Sequence, residues 1–135
     1  MAEAPPGVRA RPLSPSVWIW RWHVTMVTSI LHRVTGVGLY GAALILAGWV
    51  FALAAGGTAY IDYMGLLGSI PGKVILFGIT VCAFYHLANG VRHLVWDTGH
   101  GLDVKSSDRS GVAVLAFGVA AAVVVWVVGL SGTVR

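Results

Sequence analysis

Residues 34–61, which read VTGVGLYGAALILAGWVFALAAGGTAYI, contain no charged side chain. Residues 74–91 and residues 110–134 are also free of charge. A helix of roughly 18 or more apolar residues is long enough to cross a hydrocarbon core of about 30 Å. The three uncharged stretches therefore predict an all-α membrane protein with three transmembrane helices.

The composition indicates a single membrane domain over residues 1–135. Only 10% of the residues are charged, whereas a soluble domain carries about 25%. Prolines, arginines and clustered tryptophans mark residues 1–26 as an N-terminal cytoplasmic or interfacial segment. We expect the transmembrane helices over the ranges 27–54, 71–97 and 110–130.

The segments between the predicted spans carry helix stop and start signals. Gly56 and Gly57 are suited to end the first helix. Residues 59–68 then form a short connection at the opposite interface. Ser69 and Pro71 are typical of the start of a helix, so the second span begins there.

Lysine and arginine are distributed unequally between the two ends of the predicted helices. The end that holds the N-terminus carries Arg9, Arg11, Arg21, Arg33, Arg92, Lys105 and Arg109. The other end carries Lys73 and Arg135. Because positive residues favour the cytoplasmic face, we expect the N-terminus inside and the C-terminus outside. The net charge of +4 is then explained by topology and implies no nucleic acid partner.

The first twenty residues contain no continuous apolar region of the kind that a cleavable secretory signal has. They also contain Glu3 and little serine, which is not typical of a mitochondrial transit peptide. We therefore expect a multi-pass protein of the bacterial cell inner membrane. A mature protein of the mitochondrial inner membrane is the alternative.

The third predicted span contains no ionisable residue. Gly118 and Ala122 are four residues apart, a small-xxx-small spacing that permits close contact between membrane helices. Cys82, the single cysteine, lies in the second apolar stretch and can form no internal disulfide. We interpret all three as packing residues.

The second predicted span contains ionisable residues, which are costly in lipid unless they face protein, cofactor or water. His86 and His93 are seven residues apart, so they share a helix face about 10 Å apart and cannot hold opposite faces of one haem. His86 lies about 16 Å from the inner end at Asp97, near the middle of the bilayer. A haem iron suits such an imidazole, and Gly90 leaves room for a flat macrocycle. A hydrogen bond to a neighbouring helix is the alternative.

The first predicted span opens with polar residues near the cytoplasmic boundary. Ser29 and Arg33 are four residues apart and neighbours on one helix face. A hydroxyl and a guanidinium suit the carbonyl oxygen of a quinone. His32 and Arg33 also lie at a depth that suits haem propionates. The alternative is that Arg33 only extends to the interface and enforces topology.

Three segments of the sequence resemble signatures of a known family. They are RPLSP at residues 11–15, SILHRVTG at residues 29–36 and HLANGVRHLVWD at residues 86–97. In their order and spacing the chain resembles the cytochrome b556 membrane-anchor subunits of succinate dehydrogenase (complex II). The resemblance extends over nearly the whole chain. It implies association with a second three-helix anchor subunit, an iron–sulfur subunit and a flavoprotein subunit.

The resemblance implies a haem b shared between the two anchor subunits. By motif position, His86 is the axial ligand of the haem iron, and the second anchor subunit supplies the other ligand. His32, Arg33 and His93 are then the haem propionate contacts.

The resemblance also implies a quinone site. Ser29 and Arg33 are the quinone contacts, and residues 11–22 contact the iron–sulfur subunit. Asp97 either relays protons or holds loop contacts at the end of its helix. On this interpretation the chain passes electrons from the iron–sulfur subunit to ubiquinone, and it does not oxidise succinate alone.

Two alternative functions are compatible with the sequence. One is the anchor subunit of a fumarate reductase, in which the reaction runs in reverse. The other is a haem-free structural anchor or small transport subunit, in which His86 and Arg33 only hold helices together.

Overall fold

The computed structural model describes residues 21–132, which form four α-helices and no strand. The helices are α1 (Val24–Ala55), α2 (Gly57–Gly68), α3 (Ile70–Asp97) and α4 (Val104–Gly132). Of these, α1, α3 and α4 are each long and apolar enough to cross a membrane. The all-helical prediction is confirmed, and the three long helices match the predicted number of spans.

The break between α1 and α2 depends on two glycines. Gly56 has φ +65° and Gly57 has φ +55°, in the left-handed region that side chains disfavour. The amide of Gly56 donates to the carbonyl of Ala52, which closes the last turn of α1. The predicted end of the first helix at this pair is therefore correct.

The short connection predicted over residues 59–68 is helical in the structure. α2 is a helix of 12 residues that lies back along α1. The hydroxyl of Tyr63 donates to the carbonyl of Ile45 at 2.7 Å. Gly48 makes this approach possible, because a Cβ atom at that position would lie 2.8 Å from the Tyr63 hydroxyl. This contact between two helices is not readable from the sequence of either one.

α3 begins as its sequence predicts. The hydroxyl of Ser69 accepts a hydrogen bond from the amide of Gly72 at 3.2 Å, and Pro71 lies in the first turn. Gly72 is buried where a Cβ atom would overlap the carbonyl oxygens of Leu66 and Leu67. The chain can turn sharply from α2 into α3 only with a glycine there.

α4 begins six residues before the predicted third span. The carboxylate of Asp103 accepts from the amide of Ser106 at 3.0 Å, which satisfies a free donor of the first turn. The predicted polar loop is consequently shorter than expected, and Lys105, Asp108 and Arg109 belong to the helix.

Close contact between α3 and α4 depends on the predicted small residues. A Cβ atom on Gly118 would lie 2.9 Å from the Cβ atom of Tyr85. Ala122, one turn further on, is fully buried. Both observations confirm the interpretation of this pair as a helix contact.

The outer surface of the bundle is strongly apolar. The buried hydrophobic side chains among residues 21–132 are Ala52, Tyr85 and Ala122. Large apolar side chains elsewhere are exposed, for example Val37 at 73% and Phe51 at 77%. A surface of this kind suits lipid, since acyl chains are as apolar as the side chains that face them.

Candidate functional site

Three histidines from two helices form a stack at the contact between α1 and α3. The rings of His32 and His86 are nearly parallel, with centroids 3.9 Å apart and an interplanar angle of 13°. The rings of His32 and His93 are 5.2 Å apart at 30°. The structure thus confirms that His86 and His93 share one face of α3, and it shows His32 lying against that face.

The hydrogen bonds of His86 determine which ring nitrogen carries the proton. Its Nδ1 atom lies 3.2 Å from the hydroxyl of Thr35 and 3.1 Å from the carbonyl oxygen of His32. The Thr35 hydroxyl also lies 2.8 Å from the carbonyl of Leu31, to which it can donate. Because a carbonyl only accepts, the proton is assigned to Nδ1 of His86.

The opposite nitrogen of His86 therefore has a free lone pair. Within the described residues Nε2 of His86 forms no hydrogen bond. Metal-binding histidines typically donate one ring N–H to an oxygen and bind the metal through the other nitrogen. The structure gives His86 this arrangement through a backbone carbonyl and the Thr35 hydroxyl.

Two glycines shape the space around the His86 ring. A Cβ atom on Gly36 of α1 would lie 3.3 Å from Cε1 of His86, so this glycine admits the ring to the helix contact. A Cβ atom on Gly90 of α3 would have no neighbour within 4 Å. The open surface at Gly90 is compatible with a flat macrocycle beside the helix.

The donor set fits a haem rather than a metal ion bound by protein alone. Within residues 21–132 no group of three or more histidine, cysteine, aspartate or glutamate residues could hold a metal ion. A haem iron takes four ligands from the porphyrin and needs only axial ligands from protein. One imidazole with a free Nε2 fits the requirement for one such ligand.

A cleft of about 310 Å³ lies between the N-terminal end of α1 and the C-terminal end of α3, beside the histidine stack. Ser29 lines it together with His93 and Trp96. The Nδ1 atom of His93 lies 2.7 Å from the carbonyl of Asn89, so its proton is directed to that backbone oxygen. The cleft therefore combines a hydroxyl, a ring nitrogen and an aromatic surface.

The other predicted site residues lie outside this cleft. Arg33 is exposed on α1, one turn from Ser29, and does not line the cleft. Asp97 is exposed at the last residue of α3. Of residues 11–22, the structure describes only Arg21 and Trp22, which are exposed, and the remainder lies outside the described residues.

The most extensive polar network in the described structure surrounds Arg92, for which the sequence analysis predicted only a topological role. Arg92 is 6% exposed, and its Nε donates to the hydroxyl of Ser110 at 2.8 Å. Nη1 donates to the hydroxyl of Thr28 at 3.3 Å and to Oδ1 of Asn89 at 3.2 Å. Nη2 donates to the carbonyl of Ser107 at 2.8 Å and to its hydroxyl at 3.2 Å.

Arg92 thus connects α1, α3 and α4 at one point. Its guanidinium lies 4.0 Å from the centre of the Trp96 ring. Tyr85 adds a parallel link, since its hydroxyl donates to the carbonyl of Thr28 at 2.7 Å. The signal in the sequence was the i, i+3 spacing of Asn89 and Arg92, which places an acceptor and a cation on the same helix face.

Three helices of membrane length meet around a buried arginine, and stacked histidines lie between two of them; this defines a class of polytopic helical membrane proteins with a polar site between helices. Over residues 8–125 the chain matches the sequence model of the family described as Succinate dehydrogenase/Fumarate reductase transmembrane subunit, and it belongs to that family. The resemblance found in the three sequence segments is thereby confirmed.

Relatives in bacteria and mitochondria agree with this assignment. The chain is 38% identical over 117 residues to the succinate dehydrogenase cytochrome b556 subunit of Rickettsia bellii, covering 87% of this chain and 91% of the relative. It is 33% identical over 118 residues to the corresponding subunit of Paracoccus denitrificans, with the same coverage. It is 36% identical over 107 residues to the mitochondrial succinate dehydrogenase cytochrome b560 subunit of Sus scrofa, covering 78% of this chain and 63% of the relative. The protein is a membrane-anchor subunit of the succinate dehydrogenase or fumarate reductase type.

Proposed function

We propose that the protein is the haem b-binding and quinone-binding anchor subunit of a succinate:ubiquinone oxidoreductase. The observation that carries this proposal is the contact of His86 Nδ1 with the carbonyl of His32 and the hydroxyl of Thr35, which assigns the proton to Nδ1 and leaves Nε2 free in the manner of a metal-ligating histidine. The membership of the chain in the family supports it.

His86 is the proposed axial ligand of the haem iron. The imidazole is oriented by Thr35 and by the carbonyl of His32, so its ring cannot rotate without losing hydrogen bonds. The bound haem would supply a one-electron centre near the path from the iron–sulfur subunit to the quinone. His32 stacks on His86 with its ring parallel and does not face it across a macrocycle. A second ligand to the iron would come from the proposed partner anchor subunit.

His32, Arg33 and His93 are the proposed contacts of the haem propionates. The Nδ1 atom of His32 is buried without a hydrogen-bond partner among the described residues. Since a buried N–H with no acceptor is costly, the proton of His32 is expected on Nε2, where it can be donated to a carboxylate. His93 lies two helical turns nearer the cytoplasmic end than His86, on the side where the propionates would lie.

Ser29 and Arg33 are the proposed quinone contacts. The Ser29 hydroxyl lines the cytoplasmic cleft, and Arg33 is one turn away on the same helix. A hydroxyl and a guanidinium orient a quinone carbonyl and stabilise the negative charge that develops on its oxygen as electrons arrive. Asp97, exposed at the inner end of α3, is the proposed source of protons for the same reaction.

The proposed assembly comprises a flavoprotein subunit, an iron–sulfur subunit and a second three-helix anchor subunit, in an inner membrane with the N-terminus inside. Relatives such as that of Rickettsia bellii are named as subunits of succinate dehydrogenase, which favours the succinate direction. The family description also includes fumarate reductase, so comparison of ubiquinone and menaquinone turnover tests the direction. The chain purified alone is expected to bind haem poorly and to show no dehydrogenase activity.

Reduced-minus-oxidised spectra of membranes that contain the assembled complex test the haem proposal. The wild-type complex is expected to show a b-type band, which His86→Ala abolishes. His100→Ala is the matched control, because His100 is exposed beyond the end of α3. A wild-type complex without the band would favour the haem-free anchor, and a band that survives His86→Ala would refute the ligand assignment.

A further inference from the structure

Arg92 is a buried cation whose partners among the described residues are all neutral. Its acceptors are the hydroxyls of Thr28, Ser107 and Ser110, the amide of Asn89 and one backbone carbonyl. Within residues 21–132 no carboxylate oxygen lies within ion-pair distance of its nitrogens. A buried charge inside a membrane protein is costly without a counter-charge.

Asp108 offsets only part of this charge. It is half-buried on α4 and close enough to interact electrostatically with Arg92. It lines a neighbouring cleft with His23 and Thr25, however, and does not line the cleft that contains Ser29. Because Arg92 lines the cleft that contains Ser29 and Asp108 does not, we infer that the potential in this cleft is positive.

The nitrogens of Arg92 are all used by the protein. Its five acceptor contacts are distributed over all three guanidinium nitrogens, so Nε, Nη1 and Nη2 each donate to the protein. The acceptors come from three helices, which hold the guanidinium in place against Trp96. Because every guanidinium nitrogen already donates to the protein, we infer that Arg92 acts on a molecule in the cleft through its charge.

Within residues 21–132 the lining of the cleft contributes no other permanent charge. Its lining consists of His23, Thr25, Met26, Ser29, Arg92, His93 and Trp96. Among the described residues Arg92 is the only lining side chain with a permanent charge, and low-polarity walls strengthen its field. An oxyanion in this cleft is stabilised more than a neutral group of the same shape.

We propose that Arg92 is a positioning residue whose fixed positive charge makes the Ser29 cleft favour an oxyanion. The oxyanion is either a haem propionate or the reduced oxygen of a quinone, which share the same chemistry. This inference rests on the proposed function. Because reduction adds negative charge, the charge of Arg92 favours the reduced form of the bound group.

Asn89→Asp tests the charge without removing the arginine. Asn89 is fully buried, its Oδ1 accepts from Arg92 at 3.2 Å, and its Nδ2 has no partner among the described residues. Aspartate has the same shape, keeps the acceptor and loses no hydrogen bond. It places a carboxylate beside the guanidinium and cancels its field in the cleft.

Three further variants separate charge from helix packing. Arg92→Gln removes the charge and most donors, whereas Arg92→Lys keeps the charge with fewer donors. Arg109→Gln is the control, because it removes an exposed charge from the same end of the bundle. A purely structural role predicts that Arg92→Gln and Arg92→Lys lower thermal stability alike and change no redox property.

Two measurements on the assembled complex identify the oxyanion. If it is a propionate, the haem midpoint potential falls in Asn89→Asp and Arg92→Gln and stays near wild type in Arg92→Lys and Arg109→Gln. If it belongs to the quinone, the potential is unchanged in all four. The kcat for ubiquinone reduction then falls about tenfold in Asn89→Asp and Arg92→Gln only.

The proposal is overturned if Asn89→Asp, with haem bound, alters neither the potential nor ubiquinone turnover. Even if the Arg92→Gln complex fails to assemble, Asn89→Asp tests whether the charge of Arg92 acts on the group bound in the Ser29 cleft. A wild-type complex that contains no haem and reduces no quinone is a different result, since it overturns the proposed function itself.

Discussion

The Nδ1 atom of His86 lies 3.2 Å from the hydroxyl of Thr35, across the contact between α3 and α1. This distance joins two of the sequence segments that resemble the family signatures, one in each helix. The hydrogen bond directs the proton of His86 away from the proposed iron site. The same contact therefore holds α1 and α3 together and orients the His86 imidazole as the proposed ligand of the haem iron.

Thr35→Val is expected to weaken haem binding by about 10- to 100-fold, as loss of an outer-shell partner does at other metal sites. Valine has the shape of threonine without the hydroxyl, so packing is kept while the orientation of His86 depends on one carbonyl alone. The measurement is haem content per complex after dilution into detergent.

Thr80→Val is the matched control for this change. The Thr80 hydroxyl bonds within α3 and accepts from Trp126, away from the histidine stack. Equal haem loss in Thr35→Val and Thr80→Val would mean that Thr35 affects haem binding through the stability of the helix bundle and not through the orientation of His86.

Ser29→Ala is expected to reduce kcat/KM for ubiquinone by about tenfold, the value of one hydrogen bond to a charged oxygen. Succinate oxidation with a soluble artificial acceptor should be unchanged, because that reaction bypasses the membrane site. Ser131→Ala serves as the control, since among the described residues the Ser131 hydroxyl donates only to the carbonyl of Val128 in its own helix. Loss of both ubiquinone reduction and succinate oxidation in Ser29→Ala would show that Ser29 is needed for assembly of the complex and would contradict its proposed role as a quinone contact.

Asp97→Asn is expected to slow ubiquinone reduction while leaving succinate oxidation by a soluble acceptor intact. The reason is that an amide cannot carry the protons that a carboxyl group relays. Asp62→Asn, on the exposed surface of α2, is the control. An unchanged rate in Asp97→Asn would restrict Asp97 to loop contacts.

Gly118→Ala is expected to destabilise the complex by about 1–3 kcal/mol, because the new methyl group would overlap Tyr85 and force α3 and α4 apart. Gly78→Ala adds the same methyl group where no atom lies within 4 Å, and it should be neutral or slightly stabilising. Thermal unfolding in detergent measures both. If Gly118→Ala and Gly78→Ala had similar unfolding temperatures, the α3–α4 contact would have to widen without a cost in stability, which contradicts the prediction.

Tyr63→Phe is expected to loosen α2 by about 0.5–1.5 kcal/mol, the usual net value of one hydrogen bond. The change removes only the bond to the carbonyl of Ile45. Hydrogen exchange of α2 amides measures the effect, and Tyr60→Phe provides the comparison. The haem spectrum should be the same in both variants, since α2 lies away from the histidines.

The helices could be predicted from the sequence because local signals determine them. Charge-free stretches give the long helices, and Gly56 and Ser69 mark an end and a start. The helical form of residues 57–68 was missed, because its stabilising contact, from Tyr63 to Ile45, lies on another helix.

The site could be predicted only in part. The heptad spacing of His86 and His93 placed them on one face, as the structure shows. It could not show that His32 stacks on both rings, or that Arg92 is enclosed by hydroxyls and an amide. Those contacts depend on how each helix is rotated about its axis, and charge counting treated Arg92 as a topology signal alone.

By itself, the sequence determined that this protein has three helices of membrane length, and the motifs on two of them determined its family. The reason is that bilayer thickness limits helix length and excludes charge, which single segments report. The tertiary structure decided which nitrogen of His86 is free and which neutral groups surround Arg92. The free nitrogen of His86 and the surroundings of Arg92 depend on distances of about 3 Å between atoms of different helices. The sequence of a single segment does not specify such distances.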